Sequence, residues 1–221
     1  MNIDRLFIMG ESDSDFVSID EEYGFYLKWR KLSAATVKTN YDDTPGANSS
    51  IDGTEDLGDV FFEDRDLLLD CVFPHAAWHE PYQRISSKYH GQRVKILFSN
   101  DPDYYWTGRL FVSEYDAKAH SLSMHARVFP YKFKRIESVF EATVSETATV
   151  TLQNSRMRVV PIITIDAPIT LSWNGVTKSI AVSEYPATLR IEGFELPQNS
   201  ETVVTILGDA NVSIRYREGE L

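Results

Sequence analysis

A chain of 221 residues, 43% hydrophobic and 12% aromatic, has the material for one large β domain or two modest ones. Its formal net charge of −11, acidic in both halves, shows no basic stripe to neutralise phosphates, which argues against stable DNA or RNA binding and against an anionic membrane surface. No apolar run approaches the roughly 20 residues of a bilayer span, and the single cysteine, Cys71, excludes an internal disulfide framework.

Met1-Asn2-Ile3-Asp4-Arg5 has no basic segment followed by an apolar one, so no secretion leader is expected. Residues 44–57, Thr-Pro-Gly-Ala-Asn-Ser-Ser-Ile-Asp-Gly-Thr-Glu-Asp-Leu, join turn chemistry to an acid-rich strand start. Pro45-Gly46 is a turn dipeptide. Asn48, Ser49, Ser50 and Asp52 can bond their own backbone, and Gly53 can take positive φ. Taken alone, this is a solvated loop between strands. Cys71 then sits in the apolar run Leu67–Phe73 and reads as a small buried hydrophobe. Trp78, Tyr82, Ile85 and Tyr89 fall at helical spacing, with Pro81 near the start and Gly91 just past the end, which predicts one helix near 81–89 with its aromatic stripe on a sheet.

Elsewhere the period is 2. Val94, Ile96 and Phe98, then Tyr104 to Val112, then Leu122, Met124, Ala126 and Val128 predict an antiparallel meander with one buried face. Alternation puts Tyr104, Trp106, Leu110 and Val112 on one face and Tyr105, Thr107 and Arg109 on the other, where Tyr105 and Arg109 are candidate interface residues. A boundary is expected near 137. Beyond it, short strands recur at Ala148–Leu152, Val159–Ile165, Thr170–Trp173, Thr177–Val182, Thr188–Ile191, Thr202–Leu207 and Val212–Tyr216. Asn174-Gly175 is a two-residue hairpin signal. This spacing predicts a compact β-sandwich.

Little in the chain suggests chemistry. Cys71, His75 and His79 stand four apart, but Pro74 interrupts any helix that would align them on zinc. The acids Asp52, Glu55, Asp56, Asp59, Glu63, Asp64, Asp66 and Asp70 lack the EF-hand order for calcium. His120 and His125 lie in or beside the meander, with His125 on its polar face. Gly-x-Ser-x-Gly, a glycine-rich phosphate loop and His-Glu-x-x-His are all missing, so no catalytic residue, metal or cofactor is assigned. Trp173 reads as a core residue beside a hairpin, or as a sugar platform.

The order of residues in 44–57 resembles the distal tail proteins (Dit) of long, non-contractile-tailed phages. The matching positions are Pro45, Gly46, Asn48, Ile51, Asp52, Thr54, Glu55 and Leu57, with Arg65 downstream and Tyr104-Tyr105-Trp106-Thr107-Gly108-Arg109 resembling that family's Tyr-Tyr-x-Gly-Arg strand. Tyr23–Leu27 is similar to its opening strand and Thr36–Thr39 to the strand that enters the motif. Ser49 stands where the family often has Gly, and Gly53 where it often has an apolar residue.

The resemblance implies an all-β protein with one short helix and two β-sandwich domains. Residues 1–137 would be the ring-forming domain, and 138–221 a galectin-like or carbohydrate-module-like sandwich. It implies a non-enzymatic tail-tip hub in the virion, built in the host cytoplasm: a homo-hexameric ring joining the tail tube protein to a tail-associated lysin or fibre protein, with a channel for DNA. A carbohydrate-binding module for a host wall polymer, or a glycan-processing enzyme, are the competing readings.

Overall fold

The computed structural model describes residues 4–43, 49–54, 56 and 59–221. The chain divides into two compact units, Met1–Lys132 and Phe133–Leu221. The division falls a few residues ahead of the composition change near 137.

The elements of the first unit are β1 (Leu6–Gly10), β2 (Val17–Ser18), α1 (Ile19–Tyr23), β3 (Tyr26–Leu32), β4 (Tyr41–Asp42), β5 (Ile51–Asp52), β6 (Arg65–Val72), α2 (His79–Tyr89), β7 (Arg93–Phe98), β8 (Asp101–Asp116) and β9 (Ser121–Val128). The main sheet runs β2-β1-β7-β8-β9-β6-β3, and each neighbouring pair is antiparallel. The predicted meander is its centre. Ile8, Ile96, Leu110, Leu122, Ala126, Leu69 and Cys71 are fully or almost fully buried on one face, as the period of 2 requires.

Helix α2 covers that face. Its Ile85 and Tyr89 are fully buried, each contributing about 1.5–3 kcal/mol by removal from water. Trp78, just before it, stacks on Tyr115 with ring centroids 4.3 Å apart. Gly91 takes φ +74, the left-handed geometry expected after the helix. One helix was expected, but α1 is a second. It is a single turn from Ile19 to Tyr23, stopped by Gly24 at φ +73. Thr36–Thr39, expected as a strand, contributes only an isolated bridge from Val37 to Phe62.

The short strand β10 (Lys132–Lys134) spans the boundary, and β19 (Gly219–Glu220) in the second unit is also short. The core lies between two four-stranded sheets, the sandwich expected from the strand spacing. One sheet is ordered β11 (Ser138–Val144), β18 (Ala210–Tyr216), β13 (Ile162–Ile165), β16 (Ala187–Leu189). The other is ordered β12 (Thr147–Asn154), β17 (Ser200–Leu207), β14 (Ile169–Trp173), β15 (Val176–Ile180). Ile163, Ile165, Leu171, Val204, Ile206 and Ile214 are fully buried between them. Asn174 (φ 44) and Gly175 (φ 79) make the predicted tight turn from β14 to β15.

Candidate functional site

Of the described residues of the 44–57 motif, Ile51 and Asp52 form β5, which pairs with β4 in a short hairpin, Tyr41 opposite Asp52 and Asp42 opposite Ile51. Just past it, Asp52 folds its carboxylate back over the chain. Its Oδ1 accepts the Thr54 N–H at 3.0 Å and the Thr54 hydroxyl at 2.5 Å, an Asx turn. The Thr54 hydroxyl bond, followed by its N–H, holds the Asp52 carboxyl below its ordinary pKa. Thr54 Oγ1 also accepts from the Asn40 N–H at 3.3 Å, and the Gly53 N–H donates to Asn40 O at 2.8 Å. The Asp-x-Thr spacing is therefore a clamp at the base of the hairpin.

Gly53 is not in positive φ. A Cβ there would lie 2.5 Å from the Asp56 carboxylate and 3.2 Å from the Asn40 amide, but both are ends of exposed side chains that can turn aside, so space does not demand glycine here. Tyr41 and Ile51 stand 60% and 61% exposed. Pro45, Gly46, Asn48, Glu55 and Leu57 lie outside the described residues.

Arg65 opens β6. Its Nε donates to Ser33 O at 2.8 Å, and its guanidinium lies over the Trp106 ring at 5.2 Å. Burial pulls its pKa below the ordinary value. The Tyr104–Arg109 segment lies within β8. Trp106 faces the core as alternation requires. Tyr104 carries the Lys132 ammonium over its ring at 4.3 Å. Tyr105, expected on an open face, is only 7% exposed, because Phe16 packs on its ring and Lys95 lies over it at 5.4 Å. Arg109 is exposed, and its Nη1 donates to Gly91 O at 2.5 Å.

The register around Arg109 assembles a feature that sequence reading misses. Arg93 on β7 is directly opposite Arg109, and Arg109 is directly opposite Arg127 on β9. Directly opposed residues share a face with Cβ atoms about 4.5–5.5 Å apart, so three arginines stand in one row on the solvent face. A cleft of about 210 Å³ lies along them, completed by Asp64, Gly108 and Phe129. Arg127 Nε pairs with Asp64 at 3.3 Å, and Arg93 lies over the Phe129 ring at 5.4 Å. An acidic chain with no basic run thus carries a basic stripe after all, built from three strands.

The other candidates are dispersed. Cys71 is fully buried among apolar side chains, with its thiol pushed up to about 12 first by burial and then by Asp70, while His75 and His79 are exposed. Among the described residues no three His, Cys, Asp or Glu side chains gather as metal ligands. His125 Nε2 meets Asp66 at 2.8 Å on the open face of the sheet, and His120 Nδ1 lies 3.5 Å from the Tyr115 hydroxyl. Trp173 is 4% exposed. Its indole N–H donates to Gly193 O at 3.3 Å and its ring meets Phe194 edge-on, so it is a core residue with no platform to offer.

No family model matches the chain, and no curated protein matches it. Among solved structures, the baseplate of phage p2 in its activated conformation with Sr aligns over 97% of this chain and 98% of that one, at 8% identity and a TM-score of 0.43, too low for structural comparison. The crystal structure of Dit (gp 19.1) of phage SPP1, described as a paradigm of the hub adsorption apparatus in phages infecting Gram-positive bacteria, aligns far better. It covers 98% of this chain and 99% of its own at 14% identity, with a TM-score of 0.65. Over almost its whole length, then, this chain has the fold of a Dit hub protein.

Proposed function

We propose that this chain is a distal tail protein, a structural hub at the tip of a phage tail. The observation that carries the reading is the end-to-end match to the SPP1 hub protein, which includes both units rather than one common β module. The hairpin with its Asp52–Thr54 clamp and the Tyr104–Arg109 strand add local features in the same unit.

On this reading the function is geometric. A head-to-tail contact repeated between identical subunits closes after six steps into a ring. Residues 1–137 build that ring, 138–221 form the second sandwich of each subunit, and Arg109 lies near the contact. The ring joins the tail tube protein to the tail-associated lysin or fibre protein, and DNA passes through without being held. The protein works in the virion tail tip after assembly in the host cytoplasm, without catalysis, cofactor or membrane contact.

Electron microscopy of the purified protein, alone and mixed with its tube and fibre proteins, tests this. Six-fold rings with a central hole are expected. Monomers under every condition, by image and by light scattering, refute it.

A further inference from the structure

A strand at the rim of a sheet leaves a row of backbone N–H and C=O groups unpaired, and folded proteins guard such rims with charge, proline, a bulge or brevity. Among the described residues, the rims of the larger sheets are guarded in this way with one exception. β3 carries Lys28 and Lys31 and a register shift between Leu27 and Trp29. β2 has two residues and β16 three, the latter preceded by Pro186. β11 carries Glu141, and β15 carries Lys178. The exception is β12, Thr-Ala-Thr-Val-Thr-Leu-Gln-Asn over 147–154. It ends its sheet, pairs with β17 along all 8 residues without a register shift, and holds no charged residue and no proline.

The ladder fixes which backbone groups face outward. The Gly208 N–H donates to Glu146 O at 3.0 Å, so Glu146 and Gly208 are a hydrogen-bonded pair just beyond the Thr147–Leu207 register. Such pairs alternate along antiparallel strands. Ala148, Val150 and Leu152 therefore direct their backbone groups to β17, while Thr147, Thr149, Thr151 and Gln153 aim theirs away from it. The ends of this outer row are occupied: the Thr147 N–H by Ser145 O at 2.8 Å, and Gln153 O by the Tyr216 hydroxyl at 2.6 Å. At its centre, among the described residues, no hydrogen bond outside the ladder reaches Thr149 or Thr151, and both are exposed. Val203 and Leu207, opposite Thr151 and Thr147, are exposed apolar neighbours on the same sheet.

We infer that the β12 edge is a docking site for the β12 edge of a second copy of this chain, joined antiparallel across a two-fold axis at Val150. In that register Thr149 of each copy stands opposite Thr151 of the other, and every unpaired N–H of the four threonines meets an unpaired C=O. Val150 faces itself and Thr147 faces Gln153, so threonine and β-branched pairs form and no like charges are opposed. Main-chain hydrogen bonds supply the affinity in strand addition of this kind. The occupant is a second copy because β12 is acceptable opposite itself where the rest of the chain is not. At a net charge of −11, copies repel one another over most of their surface, and this strand carries none of that charge. The contact is isologous, whereas the ring contact of the hub reading is head-to-tail, so the two are separate and one can fail without the other.

Light scattering on the full chain tests this. T149K/T151K sets lysines opposite lysines across the axis and leaves the β17 ladder alone. It is expected to halve the particle mass seen for wild type at equal concentration, with an unchanged melting curve because both side chains are exposed. T149E/T151E is expected to do the same, and an equimolar mixture of the two variants to recover the wild-type mass. Thr205→Lys puts the same charge on the same sheet face, but on β17 inside the sheet, and is expected to keep the wild-type mass. Val150→Cys reads the register. Residues opposed at such a position have Cα atoms about 4.5 Å apart, within disulfide reach. Oxidation is therefore expected to give a covalent dimer, while Ala148→Cys, which faces Leu152 of the second copy, gives none. Equal masses for wild type and T149K/T151K overturn this contact and leave the hub intact. A mass halved equally by Thr205→Lys means that the sheets meet face to face, and cross-linking through Ala148→Cys but not Val150→Cys means another register. Either result also overturns the proposal.

Discussion

Gly108 on β8 is pressed against the backbone of Arg127 on β9. A Cβ at position 108 would stand 2.1 Å from the Arg127 carbonyl oxygen and 2.7 Å from Val128 Cα. The glycine of the Tyr-Tyr-x-Gly-Arg strand is therefore a requirement of strand approach, and the same approach sets Arg109 opposite Arg127. Gly108→Ala is expected to separate the two strands and lower stability by ~3 kcal/mol or more, the top of the range for overpacking. Gly91→Ala is the control. It has open space around it but sits at φ +74, so only the left-handed backbone cost of about 1–2 kcal/mol applies. Denaturant titration of both variants checks the order, and an equal loss in the two would refute the close-approach account.

In the second unit, Asn154 plays a comparable structural part. It is 6% exposed, and its amide nitrogen lies 2.7, 3.0 and 2.8 Å from the carbonyl oxygens of Met157, Leu196 and Pro197. One side chain thus ties the end of β12 to the residues just after it and to the distant Leu196–Pro197 segment. Asn154→Ala is expected to cost about 1–3 kcal/mol by removing these bonds, although Leu196 O keeps the Val159 N–H and Pro197 O the Ser200 hydroxyl. Asn154→Asp would set a carboxylate against three carbonyl oxygens and is expected to cost more, about 3–5 kcal/mol, as for an uncompensated buried charge. Thermal melts at neutral pH measure both. If Asp proves as stable as wild type, the donor role assigned to the amide is wrong.

The features legible in the sequence are those whose signal is local. Ile85 and Tyr89 mark α2 because the apolar positions recur over almost three turns, and Asn174-Gly175 marks its hairpin because both residues must take positive φ. Helix α1 has only Ile19 and Tyr23 buried in a single turn, too short for a period to appear. Tyr105 was expected to be open because strand alternation describes one sheet face and says nothing of Phe16, which arrives from a different part of the chain. The arginine row is hidden for the same reason. Arg93, Arg109 and Arg127 are far apart in sequence and become neighbours only through the register of β7, β8 and β9. The hairpin motif was visible as residues, but the bond that explains its Asp-x-Thr spacing required coordinates.

Cys71 offers a probe of the first core. Its thiol is fully buried and pushed up from 9.0 to about 12, first by burial and then by the neighbouring Asp70 charge. Since the thiolate is the reactive form, a thiol reagent at pH 8 is expected to leave the native protein unlabelled and to modify one site after unfolding. The raised native pKa also sets a pH dependence. Its contribution is fully present below the unfolded thiol's value of about 8.5 and is lost as pH rises toward about 12, because only the unfolded chain can ionise in that window. Rapid stoichiometric labelling of the folded protein would show that Cys71 is accessible.

Asp52 should respond at the opposite end of the pH scale. The Thr54 hydroxyl and then its N–H bond to the charged form, and with the Tyr41 side chain they outweigh the opposing desolvation. The folded pKa therefore lies below the ordinary 3.8. A depressed carboxylate supports the folded hairpin above its unfolded pKa and loses that support as pH falls through the folded one. The clamp is accordingly intact at neutral pH and opens only in strong acid. Thr54→Val removes the hydroxyl donor but keeps the N–H, so the Asp52 titration, followed by the carboxyl carbon chemical shift, is expected to move partway back toward 3.8. Asp52→Asn separates shape from charge, since its side-chain oxygen can still accept both bonds while the negative charge is gone. Asp52→Asn is therefore expected to keep the hairpin's hydrogen bonds, measured by amide exchange at Thr54. An Asp52 that titrates at its ordinary value in wild type would dissolve the clamp itself.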